Sequence, residues 1–147
     1  MRRSAFALLP MVSAVSCGSP GEITVQNIWA RDTVGRTANA AVFMKIESDV
    51  ADQLIGADAP VAKKTDLMTF EGGNGLMRMR YLKAMKIPAN KSVSLDPRGL
   101  HVWLTDLEEP LRQGQTFPLT LRFGHSGERR VMVKVIGPSA AAPISEM

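Results

Sequence analysis

"FPLTLRFGHSGERRVMVKVI" (117–136) decides the fold class. In its first half Phe117, Leu119, Leu121 and Phe123 fall on one side, with Thr120 and Arg122 on the other. In its second half Val131, Val133 and Val135 alternate with Met132, Lys134 and Ile136. A side-chain period of two is the signature of a strand with one buried face. Between the halves, "GHSGE" (124–128) is a turn signal. The same reading extends outward. "EITVQNIWAR" (22–31) and "NAAVFMKIES" (39–48) are rich in β-branched and aromatic residues. Further turn signals stand at "GADAP" (56–60), "EGGNG" (71–75), "IPANK" (87–91), "DPRG" (96–99) and "RQGQ" (112–115). No segment sustains an apolar stripe at helical spacing. Seven to nine short strands at this spacing predict an all-β sandwich or barrel.

Composition sets the limits. A chain of 147 residues supports one domain with a real core. At 45% hydrophobic and 22% charged it is globular in class rather than disordered. The formal charge is +4, of which Arg2 and Arg3 supply two, so the remainder carries +2. That is too small to argue for nucleic acid. The basic run Arg78, Arg80, Lys83, Lys86, Lys91, Arg98 has only Tyr81 as a stacking platform and reads as a solvated strand face.

The first residues read as an address. "MRR" is a basic start, "SAFALLPMVSAVS" (4–16) is apolar but too short to span a bilayer, and "AVSC" (14–17) ends on Cys17. This order resembles the bacterial lipoprotein signal, which implies removal of residues 1–16 and acylation of Cys17 as the first mature residue. Export to the periplasm with a lipid anchor as the sole membrane attachment is the expectation; cleavage without acylation is the alternative. Cys17 is the only cysteine, so no disulfide framework or Cys-based zinc site is available. Residues 137–147 lack pattern and are expected to form a flexible tail.

Chemistry narrows by exclusion. There is no G-x-S-x-G, phosphate loop or Cys-x-x-Cys, and only two histidines, His101 and His125. No nucleophile or acid–base constellation is visible, so the chain is not expected to be an enzyme. His125, in a turn, is expected to be a solvated loop residue. Methionine is plentiful: Met44, Met68, Met77, Met79, Met85, Met132 and Met147 follow the leader. In "GLMRMRYL" (75–82) Met77, Met79 and Tyr81 share one face, and Arg78 and Arg80 the other. Methionines fill core gaps, but thioether and imidazole together are also the soft donor set that selects Cu(I). Residue chemistry alone leaves both readings open.

"LMTFEGGNGLMRMRYLKAMKIPANKSVSLDPRGLHVWLTDLEEPLRQGQTFPLTLRF" (67–123) resembles the centre of the PCuAC-type periplasmic copper chaperones. "IWARDTVGRTANAAVFMKIES" (28–48) and "ADQLIGADAPVAKKTDL" (51–67) are similar to that family's preceding strands. The resemblance covers residues 22–136. It implies a cupredoxin-like antiparallel β-sandwich that holds Cu(I) near one end of its sheets. It also implies delivery of that copper to an acceptor such as a cytochrome oxidase subunit or assembly factor. The family's copper motif spaces a His, ten residues, a Met, twenty-one residues, a His, one residue and a Met. Here the same spacing reads Met68, Met79, His101, Trp103. Met79 and His101 keep the family's residue types. Met68 stands in place of the first His, and Trp103 in place of the last Met. Met79 and His101 are expected on neighbouring strands or strand ends. The expected donor set is Met68, Met79 and His101, with Trp103 laid over the ion. A non-metal-binding interaction or structural lipoprotein, its copper site lapsed, is the alternative on the same scaffold.

Overall fold

The computed structural model describes residues 22–35 and 37–143. The expected signal segment and Cys17 lie outside the described residues. Ten strands follow in chain order: β1 (Ile23–Arg31), β2 (Ala40–Ser48), β3 (Asp52–Asp58), β4 (Ala62–Gly73), β5 (Leu76–Leu82), β6 (Met85–Ile87), β7 (Lys91–Leu95), β8 (His101–Leu107), β9 (Thr116–Phe123) and β10 (Gly127–Ile136). Among the described residues there is no helix. The count exceeds the expected seven to nine because the chain between residues 83 and 95 forms two short strands, β6 and β7.

Hydrogen bonds run through the order β5-β4-β8-β2-β1-β10-β9-β3-β6, with β7 also pairing β2. The pairings are antiparallel except for β1 with β10, which is parallel. The opening stretch forms β9 and β10, where Leu119 faces Val131 and Phe117 faces Val133. Pro118 lies beyond the last β3 pairing, Asp58 with Thr120, so its missing N–H interrupts no bond to β3.

The sheet closes over a single core. Val42, Leu67, Val102 and Leu104 from the β4-β8-β2 half join Leu54, Leu119, Leu121, Val133 and Val135 from the other half. Strand β6 reaches back to touch β2 and β7, so one end of the sheet path folds over its middle across this core. Met85 fills the gap there and is buried. Each such aliphatic side chain contributes about 1.5–3 kcal/mol on burial.

Two irregularities position everything that follows. Between Gln26 and Trp29, β1 carries an extra residue relative to β2, and Asn27 adopts a left-handed backbone (φ 51°). That bulge shifts the phase of β1, so Trp29 rather than Ile28 stands opposite Phe43 on the outer face. On the other flank of β2, β7 pairs as far as Leu95 and β8 resumes at Val102. The chain between them swings out as the turn Asp96–Gly99, held by the Gly99 N–H donating to the Asp96 carbonyl at 3.1 Å. The Arg98 N–H donates to Asp96 Oδ1 at 2.9 Å. Strand β8 re-enters the sheet at His101. Beyond β10, Arg31 donates to the Pro138 and Ala140 carbonyls within the segment expected as a tail. Ala140 packs against the cluster of Trp29, Phe43 and Ile136.

Candidate metal centre

The outer face of β5-β4-β8 gathers all four candidate residues. Met68 on β4 is in register with His101 on β8 and with Tyr81 on β5. One pair along, Phe70 faces Met79; in the other direction Asp66 faces Trp103. Residues opposite one another in an antiparallel pair share a face, as do residues two apart. Met68, His101 and Trp103 are therefore direct neighbours. Met79 shares their face but stands on β5, with β4 between it and β8. Met79 and His101 are thus two strands apart rather than on neighbouring strands.

His101 is fully buried although it lies on the outer face. Aromatic rings cover it. Phe70 lies 5.0 Å away between ring centroids, tilted by 30°, and Phe43 lies 6.3 Å away. Trp103 stands nearly perpendicular at 6.0 Å. Trp29 extends the cluster by packing on Phe43 at 4.6 Å, and Arg31 sits over the Trp29 ring. Phe70, the register partner of Met79 on the intervening strand β4, is thus the residue whose ring meets the imidazole.

The histidine's two nitrogens have different surroundings. Nδ1 lies 3.0 Å from the Gly99 carbonyl. A carbonyl only accepts, so Nδ1 carries the proton and Nε2 presents its lone pair. The same carbonyl accepts from the Phe70 N–H at 3.2 Å, tying the turn to β4. Nε2 is buried and has no hydrogen-bond partner. An unpaired buried polar atom costs about 1–3 kcal/mol, so its retention requires an explanation. A backbone carbonyl fixing one imidazole nitrogen while the other is left free is the arrangement that orients histidine metal ligands.

The surroundings are soft and carry little competing charge. Asp66 is the nearest carboxylate by register, and Lys64 holds it at 3.2 Å. Lys64 also lies 5.4 Å from the centre of the Tyr81 ring. Among the described residues no three His, Cys, Asp or Glu side chains cluster as a hard-ligand site would require. His125 is far from this chemistry: it is exposed, and its backbone N–H donates to Asp52 Oδ1. Phe70, Phe43 and the Gly99 carbonyl are the participants that sequence reasoning missed. Phe70 alone left a signal, standing two residues from Met68 on the same strand face.

The sequence profile of the LpqE-like family, described as "Putative lipoprotein LpqE-like", matches residues 23–135. The chain belongs to the LpqE-like family. A relative from Leifsonia xyli subsp. xyli, named "Putative lipoprotein Lxx21020", is 34% identical over 125 residues, covering 82% of this chain and 75% of the relative. The copper-bound PCuAC domain from PmoF2 superposes with a TM-score of 0.66 at 24% identity, covering 81% of this chain and 96% of that domain. The solution structure of CuI-DR1885 from Deinococcus radiodurans matches with a TM-score of 0.61 at 26% identity, covering 82% of this chain and 80% of that one. The LpqE-like chain therefore has the cupredoxin-like β-sandwich of PCuAC domains.

Proposed function

We propose that this LpqE-like protein is an exported copper carrier that holds Cu(I) as cargo at His101 and Met68 and passes it to an acceptor. The observation that carries this reading is the buried, unpartnered Nε2 of His101, its tautomer set by the Gly99 carbonyl and its strand neighbour a thioether. One imidazole and one thioether form a neutral, soft pair suited to low-coordinate Cu(I). Met79 is the third donor on this face, within the ion's coordination when Phe70 turns aside. The likeness to CuI-DR1885 supports the choice of metal. The resemblance to PCuAC chaperones points to a cytochrome oxidase subunit or assembly factor as acceptor.

Competition titration with a chromogenic Cu(I) chelator under reducing conditions tests the proposal. Wild type should withdraw one equivalent, His101→Ala none, and Met68→Ala should bind about 10- to 100-fold more weakly. The aromatic enclosure of His101 favours a second reading, a scaffold whose copper site has lapsed. A wild type that takes no Cu(I), beside a Met68→His, Trp103→Met variant that does, would establish that second reading.

For location, the leader ending at Cys17 and the lipoprotein names of the family and of its Leifsonia relative support an acylated, membrane-anchored form outside the cytoplasm. Cys17→Ser should move the protein from the membrane to the soluble fraction, because the lipid is the only anchor in this reading. A wild type already soluble and beginning after Cys17 would exclude acylation.

A further inference from the structure

Burial poses a loading problem. A metal ion from solvent cannot reach His101 Nε2 directly, because the residue is 0% exposed. On the same face, exposure falls in steps from the sheet edge inward: Met77 61%, Met79 42%, Met68 3%, His101 0%. Met77 and Met79 stand two apart on β5, the last strand of the sheet on this side. Their partners on β4 are Gly72 and Phe70.

Gly72 is what lets Met77 lie flat. A Cβ at this position would sit 3.0 Å from the Met77 sulfur, so a side chain there would make the thioether give by a few tenths of an ångström. The thioether therefore rests over bare backbone beside Met79. Near the hairpin turn the charged residues Glu71, Arg78 and Arg80 occupy the other face, where Arg80 pairs with Glu71. Lys64 and Asp66 share the methionine face but stand further along β4, paired with each other. Two neutral sulfur donors without a carboxylate beside them discriminate for a soft monovalent ion and against harder divalent ones.

We propose that Met77 and Met79 form an outer Cu(I) site on β5 that takes the ion first and feeds the inner His101–Met68 site. This rests on the copper reading above and adds Met77, which the copper motif spacing does not include. Transfer is ligand exchange at constant oxidation state. The Cu(I)–Sδ bond to Met77 breaks as the bond to His101 Nε2 forms, and Met79 stays within reach of both positions. No proton is released, since Nε2 carries none. Phe70, in register with Met79 and against the His101 ring, links the two stations.

The experiment uses the full chain with methyl-labelled methionine, titrated with Cu(I) under reducing conditions and followed by NMR. In parallel, the rate of copper withdrawal from Cu(I)–bicinchoninate is measured by stopped flow. The His101 ring and the Met68 methyl should respond to the first equivalent, the Met79 methyl to both, and the Met77 methyl to the second alone. Met77→Leu keeps size and apolarity but removes the sulfur. It should slow loading by about tenfold, the scale on which supporting groups tune metal sites, while leaving the equilibrium affinity of the inner site within about twofold. Gly72→Ala should slow loading without deleting any donor. A Met77 methyl unmoved through two equivalents, or a Met77→Leu variant loading at the wild-type rate, overturns the outer site. If His101 still responds in that case, the inner site stands alone. If no resonance responds to Cu(I), the copper reading and the outer site fall together.

Discussion

His101 occupies the junction of three constraints: the Asp96–Gly99 turn behind it, the aromatic cover above it and Met68 beside it. The four-residue spacing was legible through the family resemblance, and alternation put His101 and Trp103 on one strand face. The register of β4 against β8 was not legible, because alternation fixes the face of a residue and not its cross-strand partner. The carbonyl that fixes its tautomer was not, because backbone groups leave no residue-type signal. The intervening β4 was also missed: sequence distance says nothing of the order in which strands lie. Trp103 stands 6.0 Å from the imidazole, close enough to report on an ion there. Trp29 is the other tryptophan, so a Trp29→Phe background isolates the signal. In that background one equivalent of Cu(I) should quench or shift Trp103 emission, and His101→Ala should abolish the response. An unchanged spectrum on saturation would separate Trp103 from the site and leave it as packing.

Among the elements, β9 and β10 emerged as the alternation required, while β1 shows where alternation misleads. "EITVQNIWAR" reads as one strand, and it is one. Its phase nevertheless changes at Asn27, because asparagine tolerates the left-handed conformation better than most side chains do. Pure alternation from Val25 would send Trp29 into the core; the bulge turns it outward and so builds the aromatic cluster. A less favourable case follows β1. Val34 is also left-handed (φ 52°), is β-branched and is exposed. The Asp32 side chain holds that turn, accepting from the Val34 N–H at 2.6 Å and from the Gln113 N–H at 2.7 Å. Those bonds hold the Asp32 carboxyl below the ordinary aspartate range. Strain of this kind costs about 1–2 kcal/mol in a residue other than glycine. Val34→Asn should therefore raise stability by about 1 kcal/mol in urea unfolding, through relief at the turn alone. No gain would mean that the Val34 side chain makes compensating contacts in the folded protein.

At the scale of the molecule, Asp52 fastens the β9–β10 loop to the start of β3. Burial alone would raise its pKa. Bonds from Ser126 Oγ and from the Gln53, His125 and Ser126 N–H groups outweigh that and hold it below the usual value. A carboxyl depressed in the folded state stabilises above its unfolded pKa of about 3.9, and loses that contribution as pH falls through the folded value. Asp52→Asn should cost about 2 kcal/mol at pH 7. The gap between variant and wild type in urea unfolding should narrow as pH drops below about 4. A gap that stays constant down to pH 2.5 would show that the carboxylate's charge is not what fastens the loop.

The parallel pairing of β1 with β10 joins Trp29 to Lys134 and Arg31 to Ile136. Among the described residues the first strand thus lies mid-sheet, with the last strand in sequence as its second neighbour, and this has a kinetic meaning. A chain that emerges amino end first can form the β1–β2 hairpin early, yet it cannot close the sheet until residue 136 has arrived. Topologies dominated by such distant contacts fold in milliseconds to seconds rather than microseconds. Throughout that interval β1 presents an unpaired flank, the kind of edge that recruits other chains. Refolding from urea should accordingly be slow and grow less efficient as concentration rises. A chain ending at residue 126 should aggregate rather than form a smaller domain. In the proposed copper-carrying role this ordering has a consequence: Ile136 packs with Trp29 and Phe43, so the aromatic cluster beside His101 is backed on all sides only once the last strand has arrived.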